Sequence, residues 1–163
     1  MSAALPDKAR LLEQLTQAVA QRLRASQIAA ADAFDGATQD EARSEGKYDT
    51  RALEQSYLCA GQNARVVQLR QLLEALRGYT VPPDALDVVA PGALVRTESH
   101  GRAATYFVLP LAVGERLEVE GGQVDVVGTA APVGRALLGC AAGDVVSVVV
   151  GGAKRELVVM AVG

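Results

Sequence analysis

The sequence predicts an α+β protein in which an antiparallel coiled-coil hairpin precedes a small antiparallel β domain with one short helix. Residues 7–77 are rich in Leu, Ala, Gln, Glu and Arg, whereas residues 88–163 are rich in Val and Gly. Helix formers grouped before strand formers are typical of α+β proteins rather than of alternating α/β proteins. The segment 78–83 begins with Gly and ends with Pro-Pro, which stops a helix and stiffens the chain. We therefore expect a hairpin over 1–78, a linker over 79–87 and a β domain over 88–163.

Two runs of apolar residues at helical spacing flank an acidic segment. The first run contains Leu12, Leu15, Val19, Leu23, Ala30 and Phe34, and the second contains Leu53, Tyr57, Ala60, Ala64, Val66, Leu69, Leu73 and Leu76. An antiparallel coiled coil is the simplest way to bury two such narrow stripes. Gly36 is expected to weaken the first helix. Thr38, with Glu41 three residues later, has the capping-box pattern that would restart it.

The second half of the chain predicts six strands and one short helix. The strand candidates are 94–97, 105–109, 117–120, 123–127, 145–150 and 156–162, and they are β-branched or alternating in polarity. Gly-Gly pairs at 121–122 and 151–152 stand where hairpin turns are needed. The segment 133–138, followed by Gly139, reads instead as a short helix with a C-terminal glycine.

Charge is concentrated in the segment between the two helical runs. It carries six carboxylates, at Asp32, Asp35, Asp40, Glu41, Glu45 and Asp49, against two cations, at Arg43 and Lys47. The functional interpretation is that such carboxylates bind Mg²⁺, which often takes one or two protein carboxylates and fills its shell with water and phosphate oxygens. That site is incomplete alone and gains meaning if the tip reaches another macromolecule's active centre. The alternative is ordinary solvation of a loop.

Most enzyme signatures are absent from the sequence. The single histidine, His100, stands in an expected exposed turn, and no phosphate loop, CxxC or HExxH pattern occurs. Cys59 and Cys140 have no metal-type spacing and read as small core residues or free thiols. The net charge of −3 argues against broad binding to nucleic acids or membranes. No segment has the length and apolarity of a signal peptide or membrane span, so we expect a cytoplasmic protein.

Residues 131–146, Ala-Pro-Val-Gly-Arg-Ala-Leu-Leu-Gly-Cys-Ala-Ala-Gly-Asp-Val-Val, resemble a pattern in the C-terminal domain of the bacterial Gre transcript-cleavage factors. That pattern reads Ser-Pro-Leu-Ala-Arg-Ala-Leu-Ile-Gly-Lys-x-x-Gly-Asp. The glycine pair at 151–152 and the last predicted strand fit the same family. Residues 45–51, Glu-Gly-Lys-Tyr-Asp-Thr-Arg, stand where Gre factors have their functional hairpin tip. The resemblance covers nearly the whole chain and is most specific in residues 131–146.

The resemblance implies a transcription elongation factor that is not itself an enzyme. Its β domain would be FKBP-like and would dock at the rim of the RNA polymerase secondary channel through Pro132, Arg135 and Leu137. The tip carboxylates Asp40, Glu41, Glu45 and Asp49 would help the polymerase to cleave backtracked RNA, with Glu45 and Asp49 holding a Mg²⁺ shared with the polymerase. Arg51 and Arg65 would face the RNA 3′ end. The implied protein has no intrinsic cofactor and is a monomer; direct DNA contact stays open.

One position departs from the family. Gre factors carry an Asp and a Glu three residues apart at the tip, and counting back from Arg65 places Gly46 at the first acid and Asp49 at the second. Glu45 would have to supply the missing carboxylate. A channel-binding regulator that does not promote cleavage is therefore the alternative within the family. Two alternatives from other classes are a dimeric coiled-coil adaptor and a prolyl isomerase, which would need an aromatic pocket built from Tyr79, Tyr106 and Phe107.

Overall fold

The computed structural model contains an N-terminal region of two long helices followed by a six-stranded mixed sheet with one short helix. It describes residues 4–43, 50–83 and 86–163, and at residues 37, 39–43, 50–52 and 55 it describes the backbone alone. The chain forms two compact units, one made of residues 1–15 with 79–163 and the other of residues 16–78. None of the described helices combines the length and apolarity that crossing a bilayer requires.

Helix α1 spans Lys8–Arg43 and begins with a side-chain cap. The Asp7 carboxylate accepts a hydrogen bond from the backbone N–H of Arg10 at 2.7 Å, which satisfies one of the unpaired donors of the first turn. The helix runs through Gly36 without a restart, so the prediction that Thr38 caps a second helical segment is wrong. The Thr38 hydroxyl instead donates to the Phe34 carbonyl one turn earlier, at 2.8 Å.

Helix α2 spans Thr50–Gly78 and ends at the predicted glycine. In the unit 16–78, the predicted apolar stripes are buried at Val19, Leu23, Leu69, Leu73 and Leu76. The stripes fail further along each helix, because Phe34 is 65% exposed and Tyr57 is 71% exposed. Leu53 is exposed as well. Between residues 29 and 33 the first stripe consists of alanines and Asp32, and such small side chains cannot bury large partners.

The six predicted strands are all present, and most are longer than expected. They are β1 (Leu94–Ser99), β2 (Arg102–Leu109), β3 (Gly114–Val119), β4 (Gly122–Gly128), β5 (Val145–Val150) and β6 (Ala153–Val162). Their order in the sheet is β3-β4-β2-β1-β6-β5. The sheet is mixed rather than purely antiparallel, since β2 and β4 pair in parallel, with Phe107 opposite Val126. The hairpin β3–β4 allows this arrangement, because its first strand lies outside its second at the sheet edge.

Helix α3 spans Pro132–Leu137, as the sequence predicted within a residue, and covers one face of the sheet. Leu137 packs there with Val95, Val108, Val148 and Val159 in a buried apolar cluster. Aliphatic side chains from four neighbouring strands, β2, β1, β6 and β5, thus share one core with the helix. Burial of this kind stabilises each large side chain by about 1.5–3 kcal/mol.

The unit made of residues 1–15 and 79–163 is called the sheet unit, and the segment after α2 packs closely within it. Lys8 is only 4% exposed, and its Nζ donates to the carbonyl oxygens of Pro82 and Pro83 at 3.4 and 3.2 Å. Gly92, at φ +92°, lies so near Pro82 that an added Cβ would collide with the proline ring. The described part of the predicted linker is therefore fixed to the sheet unit.

Candidate functional site

The exposed side of α3 is the first candidate surface. Pro132 occupies the first helical turn, where its missing N–H costs nothing, and both Pro132 and Arg135 are exposed. Leu137 is fully buried, so the expectation that it forms part of an exposed surface is wrong. It could contribute to docking only by holding α3 in place. The partner role of Pro132 and Arg135 stays a prediction.

Backbone hydrogen bonds fix the end of α3. Gly139 follows the helix with φ +78°, in the left-handed region that glycine adopts without a Cβ penalty. Its N–H donates to the carbonyl of Val89 at 2.8 Å, and the N–H of Val89 donates to the carbonyl of Cys140 at 2.8 Å. A short helix held at its end in this way presents its exposed residues in one defined orientation.

A cleft on the face of the sheet that α3 covers is the second candidate site. Its volume is about 970 Å³, and its apolar lining includes Val133, Val148 and Leu157. Polar groups from neighbouring strands also line it, namely Ser99, His100, Arg102, Tyr106, Glu115, Arg116, Asp125 and Arg155. The cleft therefore combines aliphatic and charged surface. This size falls within the usual range of ligand-binding pockets.

One ion pair is fixed at the cleft. The Arg116 Nε lies 2.6 Å from Asp125 Oδ1, and its Nη2 lies 3.3 Å from Asp125 Oδ2, so the two side chains meet in a bidentate pair. Arg116 and Asp125 are opposite each other in the register of β3 and β4. Both are partly exposed, so the pair adds little to stability and serves mainly to orient the two groups.

Tyr106 lies beside this pair, with Asp125 opposite it on β4. Burial raises the pKa of the Tyr106 hydroxyl, the Asp125 carboxylate raises it further, and the guanidinium groups of Arg155 and Arg116 oppose the rise. Tyr106 is therefore protonated at neutral pH and can donate a hydrogen bond in the cleft. Arg155 lines the same cleft as Tyr106.

The aromatic pocket that a prolyl isomerase would need is not found among the described residues. Tyr106 is the one aromatic side chain in the cleft lining. Phe107 follows it in β2 and so faces the opposite side of the sheet, where it is fully buried. The Tyr79 hydroxyl lies near Gly92 rather than in this cleft. His100 occupies the β1–β2 turn, as the sequence predicted.

Most of the predicted tip residues cannot be placed from the structure. Glu45, Gly46 and Asp49 lie outside the described residues. Asp40 and Glu41 belong to the last turns of α1 and Arg51 to the first turn of α2, but their side chains are not among those described. Arg65 is exposed on α2. Convergence of the carboxylates around Mg²⁺ therefore stays a prediction.

Metal ligands elsewhere in the described part of the chain do not cluster. Where side chains are described, no group of three or more His, Cys, Asp or Glu residues is placed to hold a metal ion. Burial, with a smaller contribution from Asp144, raises the pKa of the Cys140 thiol, which favours the protonated form over the thiolate that binds metals.

The sequence did not indicate the residues that line the cleft. Arg116, Asp125, Tyr106 and Arg155 come from four strands, and only the observed register brings them together. Alternation along each strand shows which residues share a face, but it does not show which strands are neighbours. The cleft residues could not be grouped without knowing that β2 pairs in parallel with β4.

Solved structures of Gre-type transcription factors are similar to this chain. The crystal structure of GreA factor homolog 1 (Gfh1) of Thermus thermophilus has 23% identity and a TM-score of 0.40, covering 91% of this chain and 94% of that one. Gfh1 of Thermus aquaticus has 25% identity and a TM-score of 0.39, covering 90% of this chain and 92% of that one. The elongation factor GreA/GreB of Nitrosomonas europaea has 20% identity and a TM-score of 0.37, covering 62% of this chain and 89% of that one. No family model and no curated protein matches the sequence.

Proposed function

We propose that this chain is a transcription factor of the Gre type, which binds RNA polymerase at its secondary channel. The observation that carries the proposal is the segment 131–146, whose sequence resembles the Gre C-terminal pattern and which forms α3 with the turn that follows it. The order of the fold, two long helices and then a sheet with one short helix, is the order that the resemblance implies.

Pro132 and Arg135 are the residues proposed to contact the polymerase. Both are exposed on α3, and the hydrogen bonds at Gly139 and Val89 hold the helix in place. A preformed surface lowers the ordering cost of binding, because its side chains and backbone lose little freedom in the complex. Arg135 supplies a planar, permanently charged group that suits a carboxylate on the partner.

The helical region is proposed to carry the acidic tip into the channel. There Asp49 and Glu45 would hold a Mg²⁺ shared with the polymerase, assisted by Asp40 and Glu41. The polymerase itself would then perform the hydrolysis of backtracked RNA, and this chain would supply ligands to the metal. Arg51 and Arg65 would lie towards the RNA 3′ end. The proposed factor is a cytoplasmic monomer with no cofactor of its own.

A second candidate function is regulation of the channel without cleavage. The observation in its favour is Gly46, which stands where the Gre pattern has the first of its two tip acids. A site that loses one carboxylate binds a divalent cation less tightly, because charged oxygen ligands supply much of the affinity. In this case the chain would occupy the channel and leave RNA cleavage unstimulated.

The docking proposal is tested by native gel co-migration with core RNA polymerase. Arg135→Glu should abolish co-migration while circular dichroism stays unchanged. The matched control is Lys154→Glu, which makes the same charge reversal at an exposed residue of β6 and should retain binding. Equal binding by wild type and Arg135→Glu would refute the assignment of this surface.

A further inference from the structure

The cleft beside α3 has features that the polymerase-docking proposal does not use. Its lining carries three arginines, at 102, 116 and 155, and two carboxylates, at 115 and 125, so its formal charge is +1 with His100 neutral. Arg116 is committed to Asp125. Arg102 and Arg155 are exposed, and within the described part of the chain neither has an acidic partner at hydrogen-bonding distance.

Hydrogen-bonding groups accompany these two cations. The Ser99 hydroxyl oxygen is buried and has no hydrogen-bond partner among the described residues. Ser99 is opposite Arg102 in the β1–β2 register, so both side chains lie on the cleft face. The protonated Tyr106 hydroxyl supplies a further donor. The Ser99 oxygen has almost no accessible surface, so a ligand in the cleft would reach it only if the Ser99 side chain turned.

From these groups we infer that the cleft binds an extended peptide segment of a partner protein in which acidic side chains alternate with aliphatic ones. The aliphatic side chains would contact Val133, Val148 and Leu157, and the carboxylates would pair with Arg102 and Arg155 at the rim. Alternation suits an extended chain, whose successive side chains point to opposite sides. Charge complementarity between the rim and the peptide selects this occupant.

The same observations disfavour a nucleic acid as the occupant. A phosphate backbone needs several unpaired cations, and here the net charge is +1 with two carboxylates present. Bound single strands also need several aromatic side chains on which bases stack, and the cleft lining contains Tyr106 and the smaller imidazole of His100. The aliphatic part of the cleft would stay unused by a sugar-phosphate chain.

The test uses the full-length chain and a fluorescein-labelled peptide, Gly-Leu-Glu-Val-Glu-Leu-Gly, whose binding is followed by fluorescence anisotropy. Saturable binding is expected, with affinity falling as salt is added. The same peptide with Gln in place of both Glu residues should bind at least about fivefold more weakly, which corresponds to about 1 kcal/mol for an exposed charge pair. No polymerase takes part, so the result is independent of the docking proposal.

Matched protein variants locate the site. Arg155→Glu and Arg102→Glu should each weaken binding of the Glu peptide by about fivefold or more. Lys154→Glu makes the same charge change one residue earlier in β6, on the opposite face of the sheet, and should change the affinity by less than about twofold. Equal weakening by Lys154→Glu would show a diffuse charge effect and overturn the inference. Equal affinity for the Gln peptide, or tighter binding of a decameric oligouridylate, would overturn it as well.

Discussion

The backbone of Gly134 in α3 lies directly against the carbonyl oxygen of Gly128, the last residue of β4. A Cβ added to Gly134 would collide with that oxygen and also approach Thr129 Cα to 3.3 Å. The opposing atoms belong to the backbone, so they cannot move aside as a flexible side chain can. Glycine at 134 is therefore a packing requirement of this chain, although the Gre pattern has alanine at the corresponding position.

Gly134→Ala should consequently destabilise the protein by about 1–3 kcal/mol, the usual cost of overpacking a well-filled contact. Urea unfolding followed by circular dichroism measures this loss. Gly114→Ala is the matched control, because nothing lies within 4 Å of a Cβ at that position. The contact is not as described if both variants unfold at the same urea concentration as wild type.

The β1–β2 turn gives a second prediction. His100 has φ +49° and Gly101 has φ +74°, so both central residues of this two-residue hairpin are left-handed, as a type I′ turn requires. Asn tolerates this conformation better than most residues, whereas β-branched residues do not. His100→Asn should retain full stability, and His100→Val should lose about 1–2 kcal/mol. Urea midpoints for the two variants provide the comparison, and equal midpoints would contradict a role of backbone conformation here.

Helix α1 gives a third prediction, at Gly36. Because the helix runs through this residue to Arg43, glycine there costs backbone entropy without providing a turn. Gly36→Ala should raise the helical signal in circular dichroism and stabilise the helix by about 0.5–1 kcal/mol. Gly61→Ala in α2, where an added Cβ meets nothing within 4 Å, should behave alike. A loss of helicity in Gly36→Ala alone would show that the glycine serves a bend.

The sequence predicted the order of the elements because each signal for it is local. The ends of α3 are marked by a proline and a glycine, and each strand is marked by the alternation of its own residues. The mixed character of the sheet depends on which strands become neighbours, and the pairing of β2 with β4 leaves no local trace. The buried state of Leu137 was missed for a related reason, since a six-residue helix does not reveal which of its faces meets the sheet.

The sequence indicated the exposed residues of α3 as a candidate site, but it did not indicate the cleft. Pro132 and Arg135 belong to a contiguous pattern, so they were visible as candidates. The pair formed by Arg116 and Asp125 joins two strands, and Arg155 comes from a third that is more distant in sequence. Composition alone therefore could not group these charges. The tip residues Glu45 and Asp49 rest on the sequence resemblance alone.

The tyrosines give a fourth prediction, which concerns pH. Burial raises the pKa of Tyr79 and of Tyr106 above the ordinary tyrosine value. In the folded state both hydroxyls hold their protons more tightly than in the unfolded chain. Their contribution to stability is therefore complete below the unfolded pKa of about 10 and is lost as pH rises through the higher folded values. Denaturant midpoints should fall above about pH 10.

Spectrophotometric titration of tyrosinate absorbance separates the contribution of Tyr106. The Tyr106→Phe variant should lose one of the late-ionising groups. Arg155→Glu should move the pKa of Tyr106 further upward, because it removes a cation that favours the ionised phenol. Lys154→Glu is the control and should leave the titration nearly unchanged. An unaltered titration in Arg155→Glu would contradict the influence of its guanidinium on the pKa of Tyr106.

The last prediction concerns the acidic tip and decides between the two proposed functions. If Asp49 holds the shared Mg²⁺ with Glu45, Asp49→Asn removes a charged ligand with little change in volume. Cleavage of backtracked RNA in stalled complexes should then fall by about tenfold or more, as expected when an interaction made chiefly in the transition state is lost. Binding to polymerase should be retained, because the proposed docking residues Pro132 and Arg135 belong to the sheet unit.

Asp32→Asn provides the matched control, since Asp32 is exposed on α1 and is not one of the proposed ligands. It should leave cleavage unchanged. If Asp49→Asn and wild type stimulate cleavage equally, Asp49 is not a metal ligand. If the wild-type chain binds polymerase and stimulates no cleavage at any Mg²⁺ concentration, the chain acts as a non-cleaving regulator of the channel. Glycine at position 46 would then be the physical reason, because one carboxylate fewer is available to hold the cation.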